Sequence, residues 1–146
     1  MLSNSCRYAI RAVIYLASRP EAESKTGIKK ISSDLNLPAP FLAKILQQLA
    51  KQKLLSSSKG PHGGFSILKD AKTITLYDIV FIIDGDGIFK NCIMHNTPCP
   101  GDEEGKKQCP LHDDYSKSRN ERINLFRGKT IYDLVQRVKN KDLFTI

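Results

Sequence analysis

The stretch IKKISSDLNLPAPFLAKILQQLAKQKLL, residues 28–55, constrains the fold more than any other part of the chain. Ile28, Ile31 and Leu35 recur at helical spacing and give a short helix one apolar face. Asn36-Leu37-Pro38 ends it, because the residue before a proline is driven away from helical dihedrals. Pro40 suits the first turn of a second helix, where its missing N–H would have no partner anyway. Leu42, Ile45, Leu46 and Leu49 form the inner face of that helix, and Lys44, Gln47, Gln48 and Lys51 its outer face. Such a pair is either a helical hairpin with a solvated face or a helix-turn-helix whose second helix enters the major groove.

The segment that follows favours the second reading. LLSSS reads as a short strand and FSIL as its return, joined by the tip KGPHGG. That tip is too long for a two-residue turn. A hairpin placed directly after a helix-turn-helix is the wing of a winged-helix domain. Small residues at its tip let backbone approach a phosphate or a narrow groove, and Lys59 and His62 supply donors. It is no Walker loop, since the lysine precedes the glycines.

Elsewhere the periodicity predicts a helix over Ser5–Ser18. Ala9, Ala12, Val13, Leu16 and Ala17 form one apolar side and Ile10 and Ile14 a second. Two apolar sides call for burial on both, which suggests an element shared between the core and a partner subunit. Thr75 with Asp78 marks a capped helix through Leu76–Ile83, stopped by DGDG as a plain turn. A calcium loop there would need a further acidic residue downstream. DDYSKSRNERINLF reads as a weakly periodic helix that Gly128 can end, and Thr130 can cap a last helix, IYDLVQRVK. The expected fold is mainly α with a small β-hairpin wing.

At 146 residues the chain is one domain's worth, with room for a core that needs no covalent staples. No run approaches the length of apolar residues that crosses a membrane. RYAIRAVIYLA is interrupted by Arg11 and has no small-residue cleavage site, so no signal peptide is expected and the location should be cytoplasmic. Residues 1–69 hold 11 Lys and Arg against 3 Asp and Glu, whereas residues 70–146 hold 12 of each. The entire excess of positive charge therefore lies with the helix-turn-helix and its wing, where it favours a polyanion such as nucleic acid. No paired carboxylates or Ser/His/Asp set is placed for catalysis, so an enzyme is not expected.

The span CIMHNTPCPGDEEGKKQCPLHDD, beginning at Cys92, holds three of the four cysteines and two of the three histidines. Where thiols stay reduced, such a grouping more often binds metal or does redox work than forms a structural bridge. Zinc is open, because three thiolates and one imidazole make a good tetrahedron. An iron–sulfur cluster is open, as is a thiol–disulfide switch that leaves one cysteine over. Cys6 stands apart among apolar neighbours and reads as a small core residue.

SCRYAIRAVIYLA, ISSDLNLPAPFLAKILQQLAKQKLL and SSSKGPHGGF together resemble the Rrf family of bacterial winged-helix regulators, in order from about residue 3 to residue 140. The resemblance implies a DNA-binding transcription regulator, expected as a repressor, that works as a homodimer through a C-terminal dimerisation helix. It implies base reading by Ala39, Pro40, Phe41, Ala43 and Lys44, and wing contacts from Lys59, Gly60, Pro61, His62 and Gly63. Lys44 and Gln47 are the best direct readers by chemistry, and Lys59 with Arg7 or Arg11 the better phosphate clamps. Ala43 stands where the family's iron–sulfur members carry a base-contacting acid, so it cannot accept from a cytosine amine and the target sequence should differ. A dimer should read a pseudo-palindromic operator with half-sites about one helical turn apart.

The resemblance also implies that Cys92, Cys99 and Cys109 hold a [2Fe–2S] or [4Fe–4S] cluster, with His112 as fourth ligand and His95 as the alternative. Arg7 occupies the position from which other members supply an acid ligand, and it cannot ligate. Nine residues separate Cys99 from Cys109, more than is usual in the family. A loop of that kind costs little extra closure entropy. Zinc stays as the alternative cofactor, and an electron-transfer protein as a further function class. The expected organisation is residues 1–84 for DNA binding, 85–112 for the cofactor loop, and 113–146 for dimerisation and the last helix.

Overall fold

The computed structural model describes residues 1–19, 24–99 and 103–140. Among the described residues seven helices and one hairpin follow in order: α1 Asn4–Ser18, α2 Ile28–Leu35, α3 Ala39–Lys51, β1 Leu55–Ser58, β2 Gly64–Ile67, α4 Leu76–Asp84, α5 Gly87–Lys90, α6 His112–Gly128 and α7 Ile131–Asn140. This is the mainly helical, winged architecture expected.

Helix α1 is the axis. Ala9, Ala12, Val13 and Leu16 are closed to solvent in a core shared with Ile31 and Leu35 of α2, Leu42, Leu46 and Leu49 of α3, and Ile79 of α4. Alanines at two of these positions let neighbouring helices approach closely. Ile131 and Val135 of α7 join the same core, so α7 packs on the first part of the chain. The second apolar side of α1 is also covered from within. Ile14 is 6 % exposed, and Ile10 bridges the main core to a smaller cluster of Cys6, Val80 and Phe89. Within the chain Ile14 is buried and Ile10 half-buried.

The start of α1 is fastened to the end of α4. Ser3 caps α1 by accepting from the Cys6 N–H at 3.0 Å, while its own N–H donates to Asp84 Oδ2 at 2.9 Å and its hydroxyl to the other carboxylate oxygen. A carboxylate at a helix N-terminus also opposes the positive end of the helix dipole. Helix α4 begins at a complete capping box of Thr75 and Asp78. Thr130 and Asp133 exchange the same two bonds at α7. The DGDG turn does more than stop α4. Gly85 ends the helix at φ 76°, and after Asp86 the one-turn helix α5 begins.

Asn36 turns the chain between α2 and α3 in the left-handed conformation, φ 51°, and Leu37 drops into the core. The wing pairs Leu55 with Ile67 and Ser58 with Gly64. A bridge absent from the sequence reading completes it: Thr26 and Phe65 exchange backbone bonds at 2.8 and 2.9 Å. A side chain at Gly64 would meet the Thr26 carbonyl oxygen at 2.2 Å, so only glycine lets the wing close on this third segment.

Cys6 is fully buried, and burial with the nearby Asp84 charge pushes its thiol from the ordinary 9.0 up to about 12. Below pH 9 both folded and unfolded chains keep that proton. Above it the unfolded chain releases the proton first, so this contribution to stability declines between pH 9 and about 12. At pH 10.5 the loss is expected to be about 2 kcal/mol. Urea unfolding of wild type and Cys6→Ala at pH 8 and 10.5 checks it, the variant lacking that share of the alkaline slope.

Candidate functional site

Two regions gather the polar and chemical groups. The first is the face made by α3 and the wing. Lys44 and Gln47 are exposed on the outer side of α3, where Pro40 and Phe41 are also exposed and Ala39 and Ala43 half-buried. Lys59, Gly60, Pro61 and His62 are exposed at the wing tip. Gly63 donates to the Gly60 carbonyl at 2.9 Å, and a side chain there would lie 2.3 Å from the Ser58 carbonyl oxygen. A cleft of about 490 Å³ runs between the wing and the helices, with Lys29, Gln47, Ser58 and Lys59 on its walls. Cations, an amide, hydroxyls and close-lying backbone are what a nucleic-acid backbone requires.

The two arginines of α1 sit differently. The half-buried Arg11 donates to the Leu35 carbonyl at 2.8 Å, at the end of α2. It braces the turn ahead of α3, which is a poor posture for a phosphate clamp. Tyr15 adds a second tie, bonding Asp34 at 2.5 Å while Arg19 bonds its hydroxyl at 2.9 Å. Arg7 is exposed, but it lines an apolar hollow with Leu2, Ile93 and Phe126, beside the cysteine span.

The second region is that span. Cys92 and Cys99 are buried and Cys109 is half-buried. The Cys92 thiol lies within hydrogen-bonding reach of those of Cys109 and Cys99, and Cys99 Sγ is 3.1 Å from Nδ1 of the buried His112. The structure thus brings Cys92 near Cys99 and Cys109, and Cys99 near His112. Among the described residues no set of three or more His, Cys, Asp or Glu side chains surrounds a common point as a bound ion requires.

Local backbone explains the Cys92 environment. Cys92 N–H donates to the Thr97 carbonyl at 2.8 Å and folds the loop back. The N–H groups of Met94 and His95 then point at the Cys92 sulfur and hold its pKa below the ordinary thiol value, with smaller help from the other two thiols. Successive N–H groups of this kind form an anion-binding concavity. His95 therefore contributes its backbone while its side chain is exposed. His112 opens α6, and its N–H donates to the Cys109 carbonyl at 3.0 Å.

Residues that the sequence reading missed secure the loop at its root. Arg119 and Arg122 of α6 donate to the carbonyls of Lys90 and Ile88, at 3.1 and 3.2 Å. Phe89 between them stacks on Tyr77 at 4.8 Å and meets Phe126 edge-on at 5.4 Å. Thus α6 provides His112 at the end of the loop and grips the residues just before Cys92. Arg119 lies two turns past His112 on the same side of the helix, a spacing visible in the sequence, but its acceptor is a backbone carbonyl, which no sequence marks. Part of the insertion, residues 100–102, lies outside the described residues.

The profile of the Rrf2 family, described as iron-dependent transcriptional regulators, matches residues 2–137. The chain belongs to the Rrf2 family. This Rrf2 regulator is 31% identical over 146 residues to a protein described as an HTH-type transcriptional regulator of Aquifex aeolicus, covering 100% of this chain and 98% of that one. It is 28% identical over 113 residues to the transcriptional regulator IscR of Photorhabdus laumondii, covering 76% and 64% of the two chains. Its fold is that of CymR, the global cysteine regulator of B. subtilis, with a TM-score of 0.76, 22% identity, and 94% and 97% of the chains covered. T. potens IscR superposes equally well, with a TM-score of 0.76 at 16% identity, over 100% and 93%. The protein is a DNA-binding transcription regulator and not an enzyme. No helix of the described residues is long and apolar enough to cross a membrane.

Two measurements test the site chemistry of this Rrf2 regulator. In the metal-free, reduced protein, iodoacetamide should label Cys92 at a lower pH than the other thiols, with Cys6 unlabelled until the chain unfolds. Peptide mapping across pH 6–9 reads the order. Lys59→Ala should weaken DNA binding at all sequences alike and lower the slope of log K against log salt by about one, read by fluorescence anisotropy at several salt concentrations.

Proposed function

We propose that this regulator binds a pseudo-palindromic operator as a cytoplasmic homodimer, as a repressor, and that an iron–sulfur cluster held by the Cys92–His112 loop controls its affinity. The observation that carries the proposal is the gathering of three thiols and one imidazole at a loop gripped by α6. The donor set fits the group, since thiolates suit iron and its sulfides and an imidazole suits iron as well. Cys92, Cys99, Cys109 and His112 would hold it, with the N–H groups of Met94 and His95 stabilising the charge on Cys92. A cluster there would supply a redox-active, oxidant-labile centre whose potential is raised by a histidine in place of one thiolate.

The chain's own residues give the rest of the reading. Arg119 and Arg122 fix the root of the loop to α6, and Phe89 fixes it to α4, so order in the loop bears on both helices. Ser3 and Cys92 line one polar cavity with Asp84 and Arg122, which places the start of α1 against the loop. Any effector acts on DNA affinity only as far as it binds the two arrangements differently. Dimerisation is supported by apolar side chains left in water: Leu125 of α6 is 54% exposed and Phe81 of α4 53%. On this reading residues 1–84 bind DNA with α7 packed against them, 85–112 form the sensor loop, and α6 pairs two subunits. Arg7 then belongs to the loop side of the molecule.

The same donor set leaves a second reading, a zinc-stabilised or thiol-switch regulator, because three thiolates and one imidazole also suit a tetrahedral zinc ion. Anaerobic purification followed by the visible spectrum and assays of iron, acid-labile sulfide and zinc separates the two. Matched iron and sulfide are expected. Stoichiometric zinc, or neither metal after reconstitution, would exclude the cluster. Cys92→Ala should lose the cofactor yet remain a folded dimer by size-exclusion chromatography, since the main core does not include the loop.

A further inference from the structure

One side chain of α3 is out of keeping with its surroundings. Phe41 is 66% exposed, in the first turn of a helix whose other outward side chains include Lys44, Gln47, Gln48 and Lys51. A large apolar ring left in water forgoes the favourable free energy of burial. Beside it stand Pro40, exposed, and Ala39 and Ala43, half-buried. The leading edge of the helix is therefore made of carbon, with the Lys44 ammonium one turn behind Phe41 and the Gln47 amide a further turn back. The helix contains no Asp or Glu.

The four bases present different edges in the major groove. Cytosine offers an amine donor, guanine two acceptors, adenine an acceptor and a donor, and thymine an acceptor with a C5 methyl group. A carbon edge can distinguish only the last. With the wing and the cations of α3 set against phosphates, Phe41 would meet the floor of the groove.

We propose that Phe41 is a specificity-determining residue that packs its ring on the C5 methyl of one thymine in each operator half-site. Ala43 leaves room for that methyl where a longer side chain would fill it. Lys44, three residues on and so on the same side of α3, addresses acceptors of the neighbouring base pair. The proposal rests on DNA binding through α3. It makes no use of the cysteine loop.

The test starts from a duplex enriched out of a random-sequence library by the purified full-length protein. Each thymine of that duplex is then replaced, one at a time, by deoxyuridine, which removes the methyl group and keeps every hydrogen-bonding atom. At one thymine per half-site wild type is expected to lose about fourfold in affinity, the worth of one buried carbon. Phe41→Ala should bind the thymine and deoxyuridine duplexes equally, and Phe41→Leu should retain most of the discrimination. Because Phe41 is exposed, both variants should keep the wild-type melting temperature, and because no charge changes, the wild-type salt slope. Neutral replacement at every thymine in wild type would overturn the proposal, as would Phe41→Ala still discriminating at the same thymine. Failure to enrich any duplex would overturn DNA reading by α3 and this proposal with it.

Discussion

The structure depends on the burial of α1 along both of its sides. A helix whose apolar residues cover most of its circumference has no stable place at a surface. It has to be surrounded. Here α2, α3, α4, α7 and the wing supply the surroundings, and each thereby acquires a fixed position relative to the others. The small side chains of Ala9 and Ala12 matter as much as the large ones, because they let backbones approach. Polar ties then set orientation where burial sets only proximity: Arg11 to the Leu35 carbonyl, Tyr15 to Asp34, and Ser3 to Asp84.

Those ties give α1 two ends with different neighbours. Toward its C-terminus it braces α2 and the turn before α3. At its N-terminus Ser3 shares a cavity wall with Cys92. The two candidate sites are therefore attached to the same rigid element. Helix α6 adds a second attachment by holding both the root and the end of the cysteine loop. Helix α1 bears on both regions, and α6 reaches the loop and packs on α4.

The cysteine loop contains one thiol whose surroundings favour its charged form. The N–H groups of Met94 and His95 face the Cys92 sulfur, and the burial that would oppose ionisation has the smaller effect. Cys6 is the counter-case in the same chain. It has a complete shell of apolar neighbours and a nearby carboxylate, and it stays protonated. Two thiols of identical chemistry thus differ because one meets backbone dipoles and the other only carbon and negative charge.

Much of this was legible in the sequence. The helix-turn-helix was readable because a proline forbids helix locally and leucine spacing marks an inner face, and both are short-range effects. The wing was readable from its glycine-rich tip, and the caps of α4 and α7 from Thr and Asp three residues apart. The cysteine span was legible as a grouping of thiols and imidazoles, but spacing alone left several chemistries open. What tertiary structure alone decided were contacts made by backbone or across long separations: the Thr26–Phe65 bridge, the arginine ties from α6 to α5, the brace formed by Arg11, and the docking of α7 on α1. A carbonyl carries no residue identity, so no pattern of side chains can announce which guanidinium it will receive. The sequence by itself determined which segments are helical, where they stop and which faces are apolar, because those follow from the dihedral preferences and spacing of neighbours. Only the folded chain decided which charged groups brace the protein and which face outward, because that depends on what burial brings within about 3 Å.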